Sequence, residues 1–411
     1  MLFQELAVTI YTEEQREYRT MIEHQRQQPL YRDPNLQIVF VVTLIAVMGV
    51  SSISPALPAI QAAFGISKPN VGLLIVVFTL PGVLFTPVLG VLADRIGRKN
   101  VLVPSLLLFG IAGSACALVR DFNLLLTLRF VQGIGAAALG SLNVTIIGDL
   151  YSKRQLATAM GYNASVLNFA VPSYLIIGGA LASFAWYYPF ALPITAIPVG
   201  LLVLTSLQSP EPKNSQDFKL YLSSAFQSIK NRQVLGLFSI TLFTFIILFG
   251  AYLTYFPLLL GGEQFKASPF LIGIITASMG VTTATVSSQL GRLTARFSEK
   301  TLIKFACIIY AITLLIIPFV HTIWLFFVPT VIFGIAHGVN LPSVHTLLAR
   351  LAPSEYRAAF MSLNGMVLRS GQTLGPLIMG MVFIFGGFDG AFFMSACISI
   401  AMFALASVVL E

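Results

Sequence analysis

Apolar residues fill this chain in long runs separated by short polar gaps. Twelve runs are long enough to cross a membrane as helices: 36–58, 71–93, 101–119, 124–148, 156–183, 187–207, 234–257, 268–290, 302–319, 323–348, 358–384 and 389–410. A helix needs about 20 apolar residues to cross roughly 30 Å of hydrocarbon. No stretch alternates apolar and polar positions with a period of two, which argues against a transmembrane barrel. The pattern predicts an all-α membrane protein. Gly and Pro are frequent inside the runs, which is tolerated where neighbouring helices re-satisfy the backbone.

The longest internal gap, 208–233, falls between the sixth and seventh runs. Phe218, Leu222, Phe226 and Ile229 recur in it at helical spacing. They predict a short amphipathic helix on the membrane surface, joining two six-helix halves. The chain therefore divides into an extension (1–35), a first bundle (36–207), a linker (208–233) and a second bundle (234–411). The extension could hold another surface helix through Leu2, Phe3, Leu6 and Ile10, ended by Pro29 and Pro34, or be a tail; translation could also start at Met21. It shows no signal-peptide pattern.

Charge sets the orientation. Only 10% of residues are charged, against about a quarter in soluble proteins. The net charge of +8 is not gathered on a polar domain, so it does not point to nucleic acid. Lys and Arg recur in alternate gaps, as in Arg95, Arg98 and Lys99, Lys153 and Arg154, and Arg292, Arg296 and Lys300. The other gaps hold only Lys68, Arg120 and Lys266. That bias predicts both termini in the cytoplasm of a multi-pass, bacterial inner-membrane protein. Cys116, Cys307 and Cys397 lie far apart inside apolar runs and read as packing residues. Neither a metal nor a cofactor is called for, and a monomer is expected.

Polar side chains inside a bilayer are costly and therefore informative. Runs three, six, nine and twelve are nearly free of them and read as lipid-facing scaffold. The fourth carries Arg129, Gln132 and Asn143, and the fifth Asn163 and Asn168. The tenth carries His337 and Asn340, and the eleventh Asn364, Arg369 and Gln372; Tyr252 and Tyr255 add hydroxyls from the seventh. These residues predict a wet central cavity. Gly133, Ala137 and Gly140 form a small-residue stripe suited to packing against the first run. His337 is the one deeply placed side chain whose ordinary titration falls near neutrality, and it could carry a proton. No Asp or Glu lies deep in any run. A cavity with two arginines and no acid favours neutral or anionic solutes.

One polar string follows the second run: Gly90-Val-Leu-Ala-Asp94-Arg95-Ile-Gly97-Arg98-Lys99. A worn copy, Gly291 to Lys300, follows the eighth, with Ala295 in place of the acid and Ser298 in place of the second glycine. This doubled string and the six-plus-six count resemble the major facilitator superfamily over residues 36–410. Leu125, Arg129, Gln132, Gly133, Gly135 and Ala136 resemble the fourth-helix signature of its proton-coupled members. The fifth run departs from the antiporter signature, with Ala170, Tyr174 and Leu175 where two glycines and a proline are expected, and Pro172 displaced.

The resemblance, closest to the twelve-helix drug:proton antiporter branch, implies two pseudosymmetric six-helix bundles and a transporter rather than an enzyme. It implies a small-molecule substrate, alternating access and protons as the coupling ion. Gly90, Asp94, Arg95, Gly97, Arg98 and Lys99 would form a gating loop whose Asp94 latches the second helix to the eleventh. Asp149, beside Lys153 and Arg154, is expected to form a gate ion pair. Asp94, Arg129 and His337 are the proton-coupling candidates. Export of a small amphiphile is the leading expectation; uptake or exchange of an organic anion is the alternative, and a transport-inactive sensor a third.

Overall fold

The computed structural model describes residues 29–208, 231–351 and 357–410. The surface helix expected at Phe218–Ile229 and the extension before Pro29 lie outside the described residues. The first bundle holds α1 (Pro34–Phe64), α2 (Lys68–Ile96), α3 (Arg98–Leu118), α4 (Phe122–Leu150), α5 (Lys153–Phe184) and α6 (Tyr188–Ser206). The second holds α7 (Arg232–Leu260), α8 (Pro269–Ser288), α9 (Glu299–Phe319) and α10 (Ile323–Leu351), then one run, Arg357–Val409.

That run of 53 residues would be about 80 Å long as one helix, more than twice the hydrocarbon thickness. It breaks at Gly387, whose φ of 60° and ψ of −152° are not helical. The break gives α11 (357–386) and α12 (388–409), so the described residues hold twelve crossings where the polarity pattern placed them.

Local chemistry fixes the helix ends. Asp33 accepts a hydrogen bond from Asn35 N, with Pro34 in the first turn. Asp121 caps α4 at Leu124 N, Ser268 caps α8 at Leu271 N, and Ser298 caps α9 at Thr301 N. Each satisfies an orphan N–H. Gly97, at φ 100°, makes the turn between α2 and α3 in a conformation that L side chains rarely adopt.

α2 packs on α4, α3 on α4 and α6, and α1 on α5. In the second half α8 and α9 pack on α10, and α7 on α11–α12. The bundles meet through α5 on α8 and α2 on α11. Thr79 and Thr373 share a 2.9 Å hydrogen bond at mid-membrane. Toward the face away from the basic loops, Ser54 Oγ donates to Leu253 O at 2.6 Å and Phe270 N to Ser183 Oγ at 3.1 Å. Pro58 presses on Gly261 and Leu175 O on Gly273 there. Toward the basic face, Gly90, Gly148, Gly161 and Gly365 have open space where a Cβ would stand. Among the described residues, the hydrogen bonds between the bundles lie at mid-membrane and on the far face and none lies on the basic side, so the bundles are joined on one face and parted toward the basic one.

Candidate transport site

Arg369 stands where the bundles part. It leaves α11 and lies against the first bundle. A Cβ on Gly82 of α2 would come within 3.0 Å of its Cδ, and one on Gly140 of α4 within 3.3 Å of its Nη2. The slot exists because both positions lack a side chain. Among the described residues, its one side-chain hydrogen bond is Nη1 to Gln372 Oε1, a long 3.4 Å. No carboxylate meets it among those residues. One turn further along α11, the Thr79–Thr373 bond closes the junction.

Arg129 is the opposite case. It has no exposed surface. Its guanidinium donates to Gly49 O of α1 at 2.9 Å, Leu74 O of α2 at 3.3 Å and Gln132 Oε1 at 2.7 Å. It also stacks 4.2 Å above the Phe78 ring. Three helices are knitted by one side chain, and neither Arg129 nor Gln132 borders a void in this state. Gln132 Nε2 is buried without a partner.

Asn143 and Asn163 meet Thr43 in a cluster that ties α4 and α5 to α1. Thr43 Oγ1 donates to Asn163 Oδ1 at 2.5 Å and accepts from Asn143 Nδ2. A second such cluster ties α10 and α11 to α7. Asn340 Nδ2 donates to Thr244 Oγ1 at 2.8 Å, and Thr241 Oγ1 to Asn364 Oδ1 at 3.1 Å. In both, the α4 or α10 asparagine keeps a buried, unpartnered Oδ1. Asn168 is half-buried on α5, at the place Arg369 takes on α11.

The remaining predicted residues lie deeper. Tyr252 and Tyr255 occupy a π-helical stretch of α7, Ile247–Tyr255. Tyr252 stacks between Phe256 and Phe333 and donates to Thr276 O at 3.2 Å. Tyr255 packs on Phe383, its hydroxyl buried and unpartnered. Both belong to the closed side. His337 faces α9 within the second bundle, where its Nδ1 and the Tyr310 hydroxyl share a 2.7 Å hydrogen bond. Its Nε2 has no protein partner among the described residues.

In the gating loop, Arg98 is buried and bonded to Asp94, and its Nε lies 3.0 Å from Asp149 Oδ2. The expected Asp149 pair is therefore made with Arg98. Arg95 is exposed and Lys99 half-buried. Tyr151 donates to Asp33 Oδ2 at 2.7 Å; burial first, then this acceptor, raises the pKa of its phenol. Sequence reasoning missed the pair of Arg350 Nη1 with Glu299 Oε1 at 2.8 Å. The signal lay in the second loop, where Glu299 stands one helical turn beyond Ala295, the position searched for an acid. Tyr310, Thr79 and Thr373 were missed too, because a hydroxyl in an apolar run carries little signal of its own.

Two six-helix bundles, bonded to each other at mid-membrane and on the far face, form a multi-pass membrane protein. The sequence profile of the Major Facilitator Superfamily matches residues 39–264 and 260–411, and the chain belongs to that family. It is 25% identical over 356 residues to the Bacillibactin exporter of Bacillus subtilis (strain 168), covering 82% of this chain and 86% of that protein. It is 24% identical over 348 residues to the Quinolone resistance protein NorA of Staphylococcus aureus (strain COL), covering 82% and 86%. A mutant of the nucleoside transporter NupG has a similar fold, with a TM-score of 0.76 at 15% identity, covering 92% of this chain and 100% of that one.

Proposed function

We propose that this transporter exports a small amphiphilic compound, neutral or anionic, in exchange for protons, with its basic face in the cytoplasm. The observation that carries the reading is Arg369, set between the bundles with no carboxylate paired to it among the described residues. A cationic substrate would meet a guanidinium and no counter-charge. The relatives named as an exporter and a resistance protein support outward transport. The two bundles would rock about the midplane, so that Asn163, Asn168, Asn340, Asn364 and Gln372, with Tyr252 and Tyr255, come to line the cavity in turn. Asp94 would exchange its bond to Arg98 for one with α11 on closing.

Of the proton candidates, Asp94, Arg129 and His337, the geometry favours His337. An imidazole can take or release a proton at either ring nitrogen, and among the described residues only its Nδ1 is engaged, by Tyr310. The test is flux in proteoliposomes under an imposed pH difference, with 2-naphthoate and its amide as probes. For one proton exchanged per neutral molecule, one pH unit drives about tenfold accumulation. Accumulation that ignores a collapsed gradient ends the proton claim. Movement of naphthoate down its own gradient, without pH dependence, favours the second reading, uptake or exchange of an organic anion, which the same arginine supports.

A further inference from the structure

We infer that Arg369 and Gln372 form an oxyanion subsite, a dead end reached from the basic face, which takes the carboxylate of an otherwise apolar substrate. The inference rests on the transport reading above, and it names the chemical group recognised.

The side chains present define the site by what they leave unmet. A guanidinium has five N–H donors in a planar fork. Arg369 spends one of them, at 3.4 Å, on Gln372 Oε1. Gln372 is itself buried, and its Nε2 donates to no described residue. The residues at the site thus offer donors and no strong acceptor. Arg129 shows that this chain can satisfy a membrane arginine with carbonyls, since it reaches Gly49 O and Leu74 O. Arg369 donates to no such carbonyl among the described residues, although Gly82 and Gly140 bring the backbones of α2 and α4 close. A planar two-oxygen acceptor matches the fork in geometry and in charge.

The surroundings say how the acceptor arrives. One turn toward the basic face, Gly365 has open space where a Cβ would stand. One turn the other way, Thr79 and Thr373 are bonded across the interface. Among the described residues no hydrogen bond joins the bundles between Arg369 and the basic face, so the entry we infer for the anion is from that side. Both hydroxyls also bond their own helices, Thr79 to Ile75 O and Thr373 to Arg369 O, at 3.0 Å each. The threonine bond can open without stranding either hydroxyl. The carboxylate stays on Arg369 of the second bundle while the bundles move.

The experiment uses purified full-length protein and three probes of one shape: 2-naphthoate, 2-naphthamide and 2-naphthylmethylamine. Binding is read by thermal shift against probe concentration. Naphthoate is expected to bind at least tenfold more tightly than the amide or the amine. Arg369→Gln should remove that preference. Gln372→Leu should weaken naphthoate a few-fold. Arg369→Lys, kept as the variant that preserves charge, should retain part of the preference. A naphthoate preference unchanged in Arg369→Gln, or in Arg369→Met should the first variant not fold, overturns the subsite. Equal binding of all three probes by the wild type overturns it too. Flux separates the two readings. Vesicles that move no probe while naphthoate still binds overturn the transport reading and leave the subsite. Naphthoate flux at the wild-type rate in Arg369→Gln does the reverse.

Discussion

At the basic face of the first bundle, Arg98 at the start of α3 pairs with Asp149 near the end of α4. In the second bundle Glu299, at the start of α9, pairs with Arg350 near the end of α10. Each residue stands 201 positions after its counterpart, so one ion pair has been kept with its charges exchanged. The neutral clusters behave differently. Thr43 and Asn163 recur 201 positions on as Thr244 and Asn364, while the second amide stands one turn earlier, at Asn340, and Thr241 shares the bonding, so the Thr–Asn pairing is kept with its donors and acceptors unexchanged. Both facts follow from the energetics. Attraction depends on the product of two charges, so exchanging them preserves it. An amide and a hydroxyl have fixed donor and acceptor geometry and tolerate no such exchange. The exchange also gives the two rims opposite character. The more exposed partner is Asp149, at 33%, in the first bundle and Arg350, at 65%, in the second.

The membrane arginines sharpen the contrast between the halves. Arg129→Ala should have the largest effect on stability. It strands two buried carbonyls and the Gln132 amide, each costing about 1–3 kcal/mol. The variant should lose most of its folded yield in size-exclusion chromatography. Arg369→Ala, with one long hydrogen bond to lose, should elute and melt like the wild type. Equal losses in the two variants would remove the distinction between a structural and a recognition arginine.

A second comparison sets the closed face against the open one. Gly273 meets Leu175 O across the α5–α8 contact, and an added methyl would press on that carbonyl. Overpacking of this kind costs about 1–3 kcal/mol, and about 1.4 kcal/mol is tenfold in a two-state population. Gly273→Ala should therefore favour the state open on the far face. Maleimide labelling of a cysteine introduced at Ser54, which is buried at the closed face in this state, should rise about tenfold. Gly161→Ala has open space and should leave that labelling unchanged. No rise in the first variant would mean that the α5–α8 contact does not set the state.

How far these features could be read in advance depended on direction. Hydropathy gives depth along a helix, so all twelve crossings and the break near Gly387 were legible, as was the loop at Gly90–Lys99. It does not give rotation about the helix axis. Arg129 and Arg369 looked alike in a list of polar residues inside apolar runs. Only the packing shows one turned among α1, α2 and α4 and the other turned across the interface. His337 was placed at mid-helix, and the partner that orients it, Tyr310, sits on a helix read as scaffold. The Glu299–Arg350 pair escaped because the second loop was compared with the first position by position and sign by sign. An exchanged pair keeps the positions and reverses the signs.

The smallest predicted effect tests that exchange. Exposed ion pairs contribute about 0–1 kcal/mol, and Arg350 is largely exposed. Glu299→Arg alone sets two arginines face to face and should lower the melting temperature slightly. Glu299→Arg with Arg350→Asp restores the order found in the first bundle and should recover most of that loss. The coupling in the double-mutant cycle should lie within about 1 kcal/mol. A double variant no better than the sum of its singles would show that surroundings fix each sign separately. Recovery would show that the rim needs only an attractive pair at this place, and that its polarity was free to diverge between the two halves.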